Sequence, residues 1–129
     1  MIRPRRARCA ALALAAVATA AAGCASGPGT YSLGKTRKCL AKEGVTFRRL
    51  TARADFVASL ASGGALALKL PSNAVTLTFG KDSQEATTLA AGYRRLGSFA
   101  TVDTDRNVVV VWTATPSDQE QQKVTRCLS

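Results

Sequence analysis

The residues here whose types and spacing could do chemistry are four cysteines and a dense run of cations. Cys9, Cys24, Cys39 and Cys127 supply sulfur. Lys35, Arg37, Lys38, Lys42, Arg48, Arg49 and Arg53 stand against one acid, Glu43, so residues 35–53 carry a net +6. Thiolates can serve as nucleophiles, metal ligands or crosslinks, and clustered cations make a surface for anions. The chain has no histidine. That excludes Ser-His-Asp and Cys-His nucleophilic catalysis and every zinc site that needs an imidazole.

The first sulfurs belong to a targeting segment. Arg3, Arg5, Arg6 and Arg8 form a basic start, and 9–23 is an uninterrupted run of small or apolar residues. Such a run is too short to cross a bilayer as a helix and suits a signal peptide, expected here over 1–23. The run ends Ala21-Ala22-Gly23-Cys24. This resembles the lipobox of bacterial lipoprotein precursors, with Ala21 where that family usually has Leu. The resemblance implies that Cys24 is lipidated and begins the mature chain. A tether over 24–31, containing Ser26-Gly27-Pro28-Gly29, would then lead to a domain over 32–129. Plain cleavage after Ala22, giving a secreted protein, is the alternative. The paired Arg5-Arg6 leaves the export route open.

Cysteine arithmetic bears on the choice. Cys9 leaves with the signal, and Cys39 and Cys127 stand near the two ends of the folded part. Cys24 is then the odd thiol, and lipidation accounts for it. In an oxidising compartment Cys39 and Cys127 are expected to pair. Closing a loop of about 90 residues would stabilise the fold by about 4 kcal/mol in the chain-entropy model. Two buried free thiols are the alternative.

A single small domain must position these groups. Its centre is 63–80. Leu66, Leu68 and Leu70 alternate with Ala67 and Lys69, and Val75, Leu77 and Phe79 alternate with Thr76 and Thr78. Pro71-Ser72-Asn73 is turn chemistry, so Ala65–Leu70 and Ala74–Phe79 read as a hairpin with one apolar face. The flanking elements must cover that face. Ser32 or Thr30 can cap a helix over 33–43, and Val45–Leu50 reads as a strand. Asp55 looks like the N-cap of a short helix carrying Phe56, Val57 and Leu60. Asp82 and Glu85 form a capping-box pattern before the stripe Ala86, Leu89, Ala90, Tyr93 and Leu96, which Gly97 ends. Residues 98–107 read as a polar loop, Val108–Thr113 as a strand buried on both faces, and Thr115-Pro116-Ser117-Asp118 as a helix start with Pro at N1.

The expected fold is therefore α+β, with a four-stranded, mainly antiparallel sheet. Its middle six elements match the ferredoxin-like βαββαβ order, and the outer helices would be joined by Cys39–Cys127. Over about 39–127, with Gly63-Gly64-Ala65 and Phe79-Gly80 inside a cysteine pair, the domain also resembles small envelope proteins of high-GC Gram-positive bacteria. That family carries no assigned chemistry, so the resemblance transfers no functional residue.

Other motifs are weak. Asp103-Thr104-Asp105-Arg106-Asn107 has the spacing that opens a calcium loop. Val108 and Ala114 stand where that loop needs Gly and Glu, so a polar turn is the better reading. Gly63-Gly64 and Phe79-Gly80-Lys81 fall short of a phosphate loop. Removing the four arginines of 1–23 leaves 14 basic residues against 8 acidic, so 35–53 supplies the whole surplus of +6. Phe47 is the only aromatic among those cations, which argues against nucleic acid. The expected function is a non-enzymatic envelope module, lipid-anchored on the extracytoplasmic face of the membrane. It would use no cofactor and would contact anionic lipid, cell-wall polymer or an envelope protein through its basic stretch. The alternative is a small carboxylate-dependent hydrolase or transferase of the envelope. A cleft gathering acids with raised pKa values would favour that enzyme, and an exposed apolar patch would favour an accessory subunit.

Overall fold

The computed structural model describes residues 29–129, so the expected signal segment, Cys24 and most of the expected tether lie outside the described residues. The elements run α1 (Leu33–Lys42), β1 (Thr46–Arg48), α2 (Phe56–Ser59), β2 (Ala65–Leu70), β3 (Asn73–Phe79), α3 (Ser83–Leu96), β4 (Thr101–Asp105), β5 (Val108–Trp112) and α4 (Asp118–Cys127). The strands form one sheet in the order β1-β2-β3-β5-β4, and every neighbouring pair is antiparallel. The hairpin forms as its alternation predicts, with Leu66 opposite Leu77 and Leu68 opposite Val75.

The alternation also decides the layers. Leu66, Leu68, Leu70, Val75, Leu77 and Phe79 point to one face with Val108, Val110 and Trp112. Leu40 of α1 and Val124 and Cys127 of α4 close over that face. Val109 and Val111 point the other way, against Ala86, Leu89, Ala90 and Tyr93 of α3 and Val57 of α2. The run Val108–Trp112 is buried throughout, as a strand covered on both sides must be.

Four expectations need correction. The sheet has five strands, because residues 101–105 pair with β5 rather than forming a loop. That strand, Thr-Val-Asp-Thr-Asp, lies at the sheet edge, so one row of backbone groups and most of its side chains meet water. Its polar composition hid it. β5 would otherwise present an unpaired backbone row, and the two-residue turn Arg106-Asn107, with Arg106 at φ 53°, folds β4 back to fill it. The ferredoxin-like order also fails. Its split β-α-β unit leaves room for a strand between those flanking the helix, yet here β1 and β2 pair directly and antiparallel. α2 spans only four residues, about 6 Å, too short to carry the chain back along the sheet.

The other two corrections concern caps. Asp55 occupies the N-cap position of α2 as expected, but its carboxylate makes no cap bond and accepts from Arg48 and the Thr51 N–H instead. At α4 the N-cap is Ser117, so Pro116 lies outside the helix and Asp118 is its first residue. Ser117 and Glu120 form a full capping box there. Ser32 caps α1, and Asp82 accepts from the Glu85 N–H at the start of α3.

Candidate functional site

The seven cations of 35–53 do not form one patch. Lys35, Lys38 and Lys42 sit at i, i+3 and i+7 of α1, which brings them onto one side of that helix. All three are exposed, and together with Cys39 and Glu43 they line a shallow depression. Arg37 turns away and lays its guanidinium 4.9 Å from the centre of the Phe47 ring. Arg48 is taken by Asp55, through nitrogens at 2.7 and 3.1 Å from its two oxygens. Its cation pulls the Asp55 carboxyl below the usual carboxylate range. Arg49 and Arg53 stay exposed in the loop before α2. The acid of the stretch, Glu43, accepts from Arg126 of α4 at 3.2 Å. The one ordered row among these cations is that of the three lysines on α1.

The sulfurs below that row are paired. Cys39 and Cys127 form a disulfide with their Cα atoms 5.3 Å apart, joining α1 to α4. The two ends of the domain meet at the same place, where the Ser32 N–H donates to the Ser129 carbonyl and the Ser129 N–H to Thr36 Oγ1. The chain arriving from residue 29 is held just upstream. The Asn107 side chain accepts from the Tyr31 N–H and donates to the Tyr31 and Gly80 carbonyls. Asp103–Asn107 is thus an edge strand and a turn that clamps the incoming chain. Among the described residues no three Cys, Asp or Glu side chains gather as for a metal ion.

A second feature lies on the other face of the sheet. α2 and α3 leave an open groove of about 790 Å³ between them. It collects three large apolar side chains that stay in water: Phe56 at 61% exposure, Leu60 at 60% and Leu96 at 55%. Of these, Leu96 belongs to the apolar stripe read for α3, and Phe56 and Leu60 to the short helix expected after Asp55. Only Val57 of α2 is among the core side chains expected there, and it packs against the second cluster. α3 meets α2 at Gly92, where a Cβ would make ordinary van der Waals contact with Val57 Cγ1 at 3.4 Å. Phe56 opens this four-residue helix and Leu60 is its C-cap, and both stay in water while Val57 packs inward; α2's shortness was the available signal.

The groove's acids are already employed. The Glu85 carboxylate accepts from the Ser62 and Lys81 N–H groups at 2.8 and 3.0 Å, which holds its pKa below the usual range. Asp82 caps α3. Lys81 and Arg95 pair with no carboxylate within 4.0 Å among the described residues. No protein-family model, curated protein or solved structure matches the chain.

Proposed function

We propose that this chain is a lipid-anchored, non-enzymatic module of a bacterial envelope whose α1 lysine row rests on anionic lipid beside the anchor. The observation that carries this reading is the position of the row. Lys35, Lys38 and Lys42 lie on the helix that begins at Leu33, nine residues after Cys24. A basic patch beside a lipid anchor adds electrostatic attraction to the insertion of the acyl chains. Each lysine near an anionic surface contributes about 1 kcal/mol. The pairing of Cys39 with Cys127 supports an oxidising, extracytoplasmic setting. Asp55, Glu85 and Glu120 all have pKa values displaced downward by hydrogen bonds they accept. They read as ionised structural acceptors rather than as a proton-transferring pair.

Two variants of the full-length protein test this reading. Cys24→Ser is expected to release the protein from membranes and abolish its lipid adduct. Replacing Lys35, Lys38 and Lys42 by Gln together is expected to weaken binding of the released protein to phosphatidylglycerol vesicles by about 100-fold. Wild-type binding should fall steeply with salt. Membrane retention of the wild type without any lipid adduct would overturn the anchor. Equal vesicle binding by the triple variant would return the lysines to an ordinary solvated face.

A further inference from the structure

We infer that Cys39 is the exchange sulfur of the Cys39–Cys127 bridge, the one on which an anionic thiol or the dithiol of an oxidoreductase forms its mixed disulfide. The two halves of the bridge stand in different surroundings. Cys127 is fully buried in the core that α1 and α4 close. Cys39 is half-buried, and of the pair only Cys39 lines the shallow depression that carries the lysine row. Exchange requires a thiolate to reach a sulfur directly, so access decides which sulfur is attacked.

Charge decides what arrives there. Lys35 and Lys42 stand four residues before and three after Cys39 on α1, so they share its side of the helix, and Lys38 adjoins it in the chain. All three are exposed, and none pairs with a carboxylate among the described residues. Glu43, the acid that lines the depression with them, is taken by Arg126 of α4 at 3.2 Å. The field of these cations draws in an anionic attacking group. The ends of α1 and α4 are also joined without sulfur. The Ser32 N–H donates to the Ser129 carbonyl, the Ser129 N–H to Thr36 Oγ1, and Arg126 to Glu43. Those links keep the separated sulfurs beside each other while exchange proceeds.

The exchange balances with a dithiol partner. Its first thiolate bonds to Cys39 Sγ, the bond to Cys127 breaks, and the electron pair leaves on Cys127 Sγ, which takes up a proton. The partner's second thiolate then attacks its own sulfur in the mixed disulfide and releases Cys39, which is protonated in turn. Two electrons pass from dithiol to bridge, and the reverse sequence closes the bridge with an oxidised partner. This inference stands whether or not Cys24 carries a lipid.

Two small thiols of opposite charge, 2-mercaptoethanesulfonate and cysteamine, test it on the oxidised full-length protein as isolated from cells. Each rate of reduction is divided by that thiol's rate with uncharged hydroxyethyl disulfide, and acid-quenched adducts are mapped by peptide mass. Adducts should fall on Cys39 rather than Cys127, and the anionic thiol should be favoured about tenfold. Replacing Lys35, Lys38 and Lys42 by Gln should remove that preference while leaving the circular dichroism spectrum unchanged. A merely structural effect of the lysines would move both thiols alike. Because Cys127 can close the bridge again before quenching, Cys127→Ala and Cys39→Ala supply a second reading. With glutathione disulfide as probe, Cys39 in the first should be captured at least tenfold faster than Cys127 in the second. The proposal is overturned by adducts on Cys127, by reduction that needs denaturant, by equal capture of the two sulfurs in folded variants, or by a charge preference that survives the lysine replacements.

Discussion

The carboxylate of Asp55 accepts from two guanidinium nitrogens of Arg48 and from the Thr51 N–H, and only 8% of its side chain meets water. The pair staples the loop between β1 and α2 to the strand that precedes it. Arg48 itself is 44% exposed, so solvent screens the attraction and Asp55→Asn should cost only about 1 kcal/mol near neutral pH. The pKa of Asp55 is lower in the fold than in the unfolded chain. Its contribution is therefore complete above the ordinary aspartate pKa and disappears as pH falls through the depressed value. Urea melts of wild type and Asp55→Asn should accordingly separate at pH 7 and converge in acid. A gap that persists in acid would show that packing, not charge, carries the effect. The sequence marked Asp55 as a cap because Asp before an apolar pair is how caps look. Arg48, seven residues earlier, became its partner only when β1 and the loop had folded together.

At the scale of elements, the end of the β2–β3 hairpin explains the Gly63-Gly64 and Phe79-Gly80 pairs. The Gly63 N–H donates to the Phe79 carbonyl, and the Phe79 N–H donates to the Gly64 carbonyl. A Cβ on Gly63 would stand 2.7 Å from that carbonyl oxygen and 2.9 Å from Phe79 Cβ. Gly63→Ala must therefore push the strands apart or lose the bonds, at a cost of about 2 kcal/mol. Thermal unfolding should show a melting temperature lower by about 10 °C. An unchanged value would mean that the hairpin end yields freely. The hairpin and the helix-period stripe of α3 were legible because each writes its buried face into its own spacing. β4 was not, since an edge strand with one apolar residue, Val102, takes its pairing from β5 rather than from its own composition.

At the scale of the whole molecule, several links join the two ends of the domain besides the Ser129 N–H bond to Thr36. These are the Cys39–Cys127 disulfide, the backbone bond from Ser32 to Ser129 and the Arg126–Glu43 pair. The disulfide closes 88 residues, almost the entire fold, so it restricts the unfolded chain strongly. Replacing both cysteines by serine should cost about 4 kcal/mol in the chain-entropy model. Reduction should lower the melting temperature of the domain by a comparable amount, read by calorimetry with and without reductant. A loss under 1 kcal/mol would show that α1 and α4 hold their places by packing alone. Cys127 is fully buried and Leu40 with it, so the helices also contribute through the core.

The sequence alone determined what depends on local pattern and on counting. The hairpin's alternation chose its buried face, Ser32 and Asp82 started their helices, and the absence of histidine removed whole classes of chemistry. The expected pairing of Cys39 with Cys127 rested on assigning Cys9 and Cys24 to a signal segment and anchor, and the disulfide itself is present. Tertiary structure decided what depends on neighbours remote in the chain. It divided seven nearby cations into a lysine row on α1, an arginine stacked on Phe47, an arginine bound to Asp55 and two arginines exposed in the loop before α2. It also turned Phe56, Leu60 and Leu96 outward. A helix's apolar stripe tells which residues could be buried, but burial needs a surface opposite. α2 and α3 bury Val57 and Leu89 against the sheet and leave the other three lining the open groove.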